Sequence, residues 1–312
     1  VTLVWLPDAR VRDRVTAALN GELPPGIEVD LWDGRSPLPP GIADVELFVL
    51  PYMVGPPSLE PVPRMTRLRL LQTQTAGYED VLGQARPGLR ICNAPGVHDA
   101  STAELAVGLA VAGQRGFADF VRAQGRGEWA SAWRPSLADS TVLIVGYGSV
   151  GAAVERRLAG FEVSVVRVAS RARGTVEAPV HGVDELPRLL PSADVVILCV
   201  PLTPGTRGLV DAAFLGRMKD GALLVNVARG PVVDTAALVA ELRSGRLRAA
   251  VDVTDPEPLP PGHPLWSEPN LLLTPHVGGA TSAFEPRAAR FLAEQLRRFA
   301  AGEALQGVVA GP

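Results

Sequence analysis

Cysteine is almost missing from this chain of 312 residues, and lysine is rarer still, with two cysteines and Lys219 as the only lysine. Two isolated cysteines, Cys92 and Cys199, exclude a disulfide framework and a thiolate metal site, and they fit a reducing cytoplasm. No other spacing of His, Cys, Asp and Glu reads as a metal site either. The other basic residues are all arginine, a compositional bias without a functional reading. An excess of charge is also lacking, since the formal net charge is −3. That balance argues against a nucleic acid or an acidic membrane surface as partner. No apolar stretch reaches the length of a membrane span, and the first residues, Val-Thr-Leu-Val-Trp-Leu, lack a signal-peptide pattern.

What the chain does contain is an apolar strand running into a glycine turn, Thr141-Val-Leu-Ile-Val-Gly146-Tyr147-Gly148-Ser149-Val150-Gly151, followed by a helical pattern. The three glycines of G-x-G-x-x-G permit, in order, the tight turn, the close approach of backbone to a pyrophosphate, and the packing of helix on strand. The helix N-terminus then offers unpaired N–H groups to the phosphates. Residues 146–151 therefore read as a dinucleotide site.

The usual acidic partner is missing. A carboxylate at the end of the second strand normally accepts hydrogen bonds from the adenosine ribose and favours NAD. Here Val163–Val168 is followed by Ala169, Ser170, Arg171, Ala172 and Arg173. A hydroxyl and two guanidiniums would pair with a 2′-phosphate, so Ser170, Arg171 and Arg173 favour NADP(H) over NAD.

At this length two domains are expected, both α/β. Strands are expected at Val1–Leu6, Ile27–Trp32, Val45–Leu50 and Leu68–Gln74, with a helix at Ala9–Leu19. A long helix follows from Asp99 or Ser101, where Ser101-Thr-Ala-Glu104 reads as a capping box, to Arg115. Six further strands, at 141–145, 163–168, 194–200, 222–227, 249–253 and 271–274, imply a doubly wound parallel sheet. The last helix, Ser282 to Ala301, is amphipathic and suits a return to the first domain. The expected organisation is a substrate domain of residues 1–95 with 284–312, interrupted by a dinucleotide-binding domain of residues 96–283.

Ligands on such sheets bind outside the carboxyl ends of the strands. Those ends carry Val200-Pro201 through Thr206, Asn226-Val227-Ala228-Arg229-Gly230, Asp252 through Glu257-Pro258, and Thr274-Pro-His276-Val-Gly278. Val200, Pro201, Thr206, Val227, Ala228, Arg229, Asp252, His276 and Gly278 are accordingly expected to line the cofactor. Arginine can bind a carboxylate through two hydrogen bonds, and histidine can give and take a proton near neutrality. A carboxylate beside the histidine favours the imidazolium and orients the ring. Arg229, Glu257 and His276 together are the parts needed for hydride transfer between a nicotinamide and a 2-oxo or 2-hydroxy acid. His98, His181 and His263 lack such company and read as structural or surface residues.

These motifs, in this order and spacing, resemble the D-isomer-specific 2-hydroxyacid dehydrogenases, which include glyoxylate/hydroxypyruvate reductases. The resemblance covers nearly the whole chain. It implies a Rossmann cofactor domain inserted in a smaller, discontinuous flavodoxin-like substrate domain, and a homodimer built through residues 101 to about 133, with Trp129 and Trp133. It implies that Arg229 anchors the substrate, that His276 is the acid/base and Glu257 its partner, and that Asp252 faces the nicotinamide carboxamide. It also implies that Thr102 lines the cofactor, and that amides in Thr75-Ala76-Gly77-Tyr78 hold the substrate carboxylate in an interdomain cleft.

The loop Gln72–Tyr78 carries no cation, which favours a small unphosphorylated acid such as glyoxylate or hydroxypyruvate. Tyr52 and Met53, after a first-domain strand, are expected to add an apolar wall to the substrate site. The competing expectation is a dinucleotide-sensing, corepressor-like protein without turnover.

Overall fold

The computed structural model describes residues 1–176 and 178–311. Along the chain run β1 (Thr2–Leu6), α1 (Ala9–Ala18), β2 (Ile27–Leu31), β3 (Val45–Val49), β4 (Leu70–Gln72), β5 (Arg90–Cys92), α2 (Asp99–Arg115) and α3 (Phe117–Gly125). Next come β6 (Thr141–Val145), α4 (Ser149–Leu158), β7 (Ser164–Ala169), β8 (Arg173–Gly174), β9 (Pro179–Gly182), a short α5 (Leu186–Leu189), β10 (Val195–Leu198) and α6 (Ala212–Arg217). The chain ends with β11 (Leu223–Asn226), α7 (Thr235–Ser244), β12 (Arg248–Val251), β13 (Leu271–Leu273), α8 (Phe284–Ala301) and β14 (Val308–Ala310).

The elements fall into two compact units: unit 1 is Val1–His98 with the segment from Thr281 onward, and unit 2 is Asp99–Ala280. Unit 1 holds a six-stranded sheet ordered β14-β5-β4-β3-β1-β2. Its five leading strands are parallel in the flavodoxin-like order, and β14 closes one edge antiparallel to β5. Alternation along the strands divides the core. Trp5, Phe48, Leu71 and Ile91 face one layer, while Val4, Leu6, Leu47, Val49 and Leu70 face the other with α8. Leu292 and Leu296, one helical turn apart, supply the apolar stripe of α8, and Gln295 is buried beside them.

Unit 2 is a doubly wound α/β layer structure. Its sheet is ordered β13-β12-β11-β10-β6-β7-β9-β8, all parallel except β8 against β9. Val142, Ile144, Ile197 and Val225 pack under α2 and α4, and Leu143, Val145, Leu198 and Leu224 pack on the side of α6 and α7. Strands apolar on both faces are what a sheet covered by helices on both sides requires.

Two expectations are corrected. The sheet has eight strands rather than six: β9 is the third of the winding, the strand beginning near residue 194 is the fourth, and Arg173 lies on the hairpin strand β8. β8 has only two residues, and β9, Pro179-Val-His-Gly182, carries a single aliphatic side chain, so neither leaves an apolar run in the sequence. The capping box does not form, because α2 already starts at Asp99 and puts Ser101, which is buried, inside its first turn. No helix among the described residues is long and apolar enough to cross a membrane.

Candidate active site

The glycine turn leaves β6 as the motif demands. Gly146 has φ of 104°, and a Cβ there would lie 2.6 Å from the Cys199 carbonyl carbon and 2.7 Å from Val200 N. A Cβ on Gly151 would overlap the Gly146 carbonyl oxygen, whereas one on Gly148 would meet nothing within 4 Å. Two of the glycines are thus fixed by packing inside the protein. Gly148 is the one with open space in front of it, at the N-terminus of α4, where a pyrophosphate would approach.

Tyr147 is committed within the protein: its hydroxyl donates to Glu155, which also pairs with Arg167, and the Arg167 guanidinium lies over its ring. Ser149 and Val150 open α4. At the end of β7, Ala169 is buried, while Ser170, Arg171 and Arg173 are exposed. Arg173 donates to the Tyr147 carbonyl, which brings one of the two candidate cations onto the glycine turn itself.

The loop after β10 is held by Thr206, whose hydroxyl donates to the Pro201 carbonyl at 2.6 Å and accepts from Thr203 N at 2.8 Å. Val200 is half-buried, and the side chains of Val227 and Ala228 are buried, so the last two can offer a ligand only their backbone. Asn226, 1 % exposed, shapes the loop after β11 by accepting from Ala228 N at 3.0 Å and donating to the Arg229 carbonyl at 3.2 Å. Arg229 Nη1 donates back to the Ala228 carbonyl at 2.7 Å, which restrains the guanidinium.

His276 Nδ1 and Glu257 Oε1 are 2.5 Å apart. The hydrogen bond that His276 donates to Glu257 raises the His276 pKa above its ordinary value; burial opposes the shift, and the carboxylate charge reinforces it. Burial works against the Glu257 carboxylate, but the bond from His276 and the His276 charge outweigh it and hold its pKa low. Arg229 acts electrostatically on both, lowering each. The expected trio therefore converges within unit 2.

His276 has φ of 52°, in the left-handed region that side chains seldom occupy. What holds it there is Asp252. The Asp252 carbonyl accepts from His276 N at 2.7 Å, and its carboxylate, 3 % exposed, accepts from the Thr274 hydroxyl, Val277 N and Gly278 N at 2.6, 2.9 and 2.9 Å. A loop-organising role for Asp252 was not legible in the sequence. Thr102 stands nearby, its hydroxyl 3.7 Å from where a Gly278 Cβ would lie.

In unit 1, Tyr52 is packed rather than presented as a bare wall: its ring stacks on Phe284 at 4.0 Å and lies 5.6 Å from His98. It borders a cavity of about 270 Å³ with Gln74 and Phe284. Met53, 63 % exposed, also has positive φ, at 60°. The carbonyls of Ala76 and Gly77 accept from Asn93 Nδ2 and Thr75 Oγ1, both at 2.7 Å. His181 pairs with Glu185, and His263 accepts from Leu265 N. Burial pushes the thiols of Cys92 and Cys199 up to about 11 and about 12, which removes them as nucleophiles. No group of three or more potential metal ligands occurs among the described residues.

Comparison with known proteins gives concordant results. Residues 107–278 match the family described as D-isomer specific 2-hydroxyacid dehydrogenase, NAD binding domain. A glyoxylate reductase of Korarchaeum cryptofilum is 34% identical over 292 residues, which cover 88% of this chain and 87% of the relative. A D-isomer specific 2-hydroxyacid dehydrogenase from Xanthobacter autotrophicus, solved with NADPH and MES, superposes with a TM-score of 0.82 at 30% identity, covering 99% of this chain and 97% of the other. An NADPH-dependent glyoxylate/hydroxypyruvate reductase from Sinorhizobium meliloti, solved with NADP and sulfate, gives a TM-score of 0.81 at 26% identity, with 99% and 98% covered.

Proposed function

Because this chain belongs to the D-isomer specific 2-hydroxyacid dehydrogenase family of oxidoreductases, we propose that it reduces a small unphosphorylated 2-oxo acid of the glyoxylate or hydroxypyruvate kind with NADPH. The observation that carries the reading is the 2.5 Å pair of His276 and Glu257, with Arg229 close enough to act on both. The relatives give no support to a sensor without turnover.

In this reading unit 2 binds the dinucleotide and unit 1 contributes to holding the acid. The glycine turn fits a dinucleotide, since only Gly148 lies open, and Ser170, Arg171 and Arg173 stand where a ribose-binding carboxylate would discriminate against a 2′-phosphate. Thr102, Val200, Pro201, Thr206 and the backbone at Val227 and Ala228 complete the proposed cofactor contacts. When bound, the nicotinamide supplies hydride to C2 of the 2-oxo acid. Within unit 2 Arg229 is the cation that would pair with the acid, and within unit 1 the amides of Ala76 and Gly77 are the groups that would hold a carboxylate. With Nδ1 of His276 engaged by Glu257, Nε2 is the nitrogen left to face the substrate, and it gives its proton to the oxygen on C2. The raised pKa keeps that proton available near neutrality.

The exposed rings of Trp129 and Trp133 support a homodimer, which the mass in solution tests. Two free thiols, Cys92 buried and Cys199 partly buried, support a cytoplasmic setting, which fractionation tests. The reaction itself is tested by following NADPH and NADH oxidation with a panel of 2-oxo acids, in the protein and in His276→Ala. Turnover should fall by about 10²- to 10⁴-fold in the variant while NADPH still binds. Near-normal turnover would remove His276 from its role.

A further inference from the structure

Resting on the reading that the amides of Ala76 and Gly77 hold the substrate carboxylate, we propose that Asn93 is the positioning residue that aims the Gly77 amide. The segment leading into β14, in turn, keeps Asn93 in place. In a planar trans peptide the carbonyl and the following N–H point in opposite directions, so a bond to one sets the direction of the other. The Ala76 carbonyl accepts from Asn93 Nδ2 at 2.7 Å, which fixes the Gly77 N–H on the opposite side. The Thr75 carbonyl accepts from Ala94 N at 2.8 Å, and the Ala76 N–H is fixed likewise. Neither amide makes a hydrogen bond of its own among the described residues.

Asn93 is held on every side. Its N–H donates to the Gly307 carbonyl at 2.9 Å, and its carbonyl accepts from Gln72 Nε2 at 3.0 Å. Gly307 has φ of 65°, and a Cβ there would come within 2.6 Å of both Asn93 O and Asn93 Oδ1. Only glycine lets the C-terminal segment lie this close. Gln72 Oε1 accepts from Gln295 Nε2 at 2.7 Å, and Gln295 also donates to the Gln306 carbonyl at 3.1 Å and accepts from Gln306 N at 2.8 Å. Gln72 and Gln295 are each 1 % exposed. The result is a run of uncharged amides from α8 and the segment before β14 to the loop 73–78. Bonded to one another through Gln72, Asn93, Gln295 and Gln306, these groups restrain one another.

Asn93→Asp keeps the shape but replaces the donor with an acceptor facing the Ala76 carbonyl. The expected result is a KM for glyoxylate raised at least about tenfold, with kcat within about threefold, because a contact made in both ground and transition states is lost. The NADPH Kd, read from nucleotide fluorescence without turnover, stays unchanged. Gly307→Ala should raise KM in the same direction, and Asn93→Ala replaces the aspartate variant should that fail to fold. An unchanged KM, or kcat, KM and NADPH Kd all altered together as in a general structural defect, overturns the proposal. A wild-type protein that binds NADPH but consumes it with no 2-oxo acid overturns the underlying reading, and the proposal with it. That failure is told apart because it shows before any substitution.

Discussion

The α-carbon of Gly230 rests against the carbonyl of Thr254, so closely that a Cβ would overlap that oxygen and lie 2.7 Å from Asp255 N. This contact seats the loop bearing Arg229 on the loop bearing Glu257. Both surfaces are backbone, so no flexible side chain can give way. Gly230→Ala should separate the two loops and lower kcat/KM for a 2-oxo acid by about 10²-fold or more. Steady-state kinetics beside an NADPH titration would check this, and retention of wild-type kcat/KM would show that the contact does not set the site.

The His276–Glu257 pair gives a pH prediction with a definite sign. In the proposed reduction the imidazolium is the form that donates the proton, and its raised pKa extends that form to higher pH. Reductive kcat/KM should be level at lower pH and fall as pH rises through the pKa of His276. Glu257→Gln removes the charge and weakens the bond, so the fall should move to lower pH, and the variant should be more impaired above pH 8 than at pH 6. A parallel loss at all pH values would count against the pairing.

Cofactor choice should respond to the residues after β7. Arg171→Ala and Arg173→Ala are each expected to raise the KM for NADPH by about tenfold with little effect on NADH, since each removes a charge-assisted bond proposed to reach a 2′-phosphate. Arg173→Ala also deletes the bond to the Tyr147 carbonyl. Ala169→Asp should shift preference toward NADH. Competition by 2′,5′-ADP against 5′-AMP gives a second measurement; equal inhibition of the wild type by the two would sink the NADPH assignment.

Asp252 should be worth more to stability than to cofactor contact. Asp252→Ala removes the acceptor of three donors of the 274–278 segment, one of them buried and two partly buried, at about 2 kcal/mol in total. Calorimetry should show unit 2 melting about 5 °C or more lower. The same variant keeps the main-chain bond from His276 N but loses the carboxylate that anchors residues 274, 277 and 278 on either side of it, so turnover falls as well. A melting temperature within a degree of wild type would mean that the loop holds without the carboxylate.

Much of the cofactor domain was legible in the sequence, because apolar strands alternating with helices leave a periodic trace. The glycine turn and the strand-end positions of Arg229, Glu257 and His276 depend only on local chemistry and on where strands stop. What escaped depends on distant contacts. The hairpin strand β8 has two residues, too few for any pattern. Gly230 looks like any loop glycine until the Thr254 backbone is placed against it. Asp252 reads as a ligand-facing acid until the donors from the 274–278 segment arrive around it. Gln72, Asn93 and Gln295 are unremarkable polar residues in sequence, and only the fold brings residue 295 to residue 72.

The stacked rings of His98 and Phe284, 5.1 Å apart, lie close to the points where the chain leaves unit 1 and returns to it. An excursion whose ends stay side by side is, for the domain it interrupts, equivalent to a tight turn. Once unit 2 has folded, joining the two segments of unit 1 carries the small entropy cost of a short loop rather than that of a long chain. A whole domain can thus interrupt another at little expense to the folding of its host.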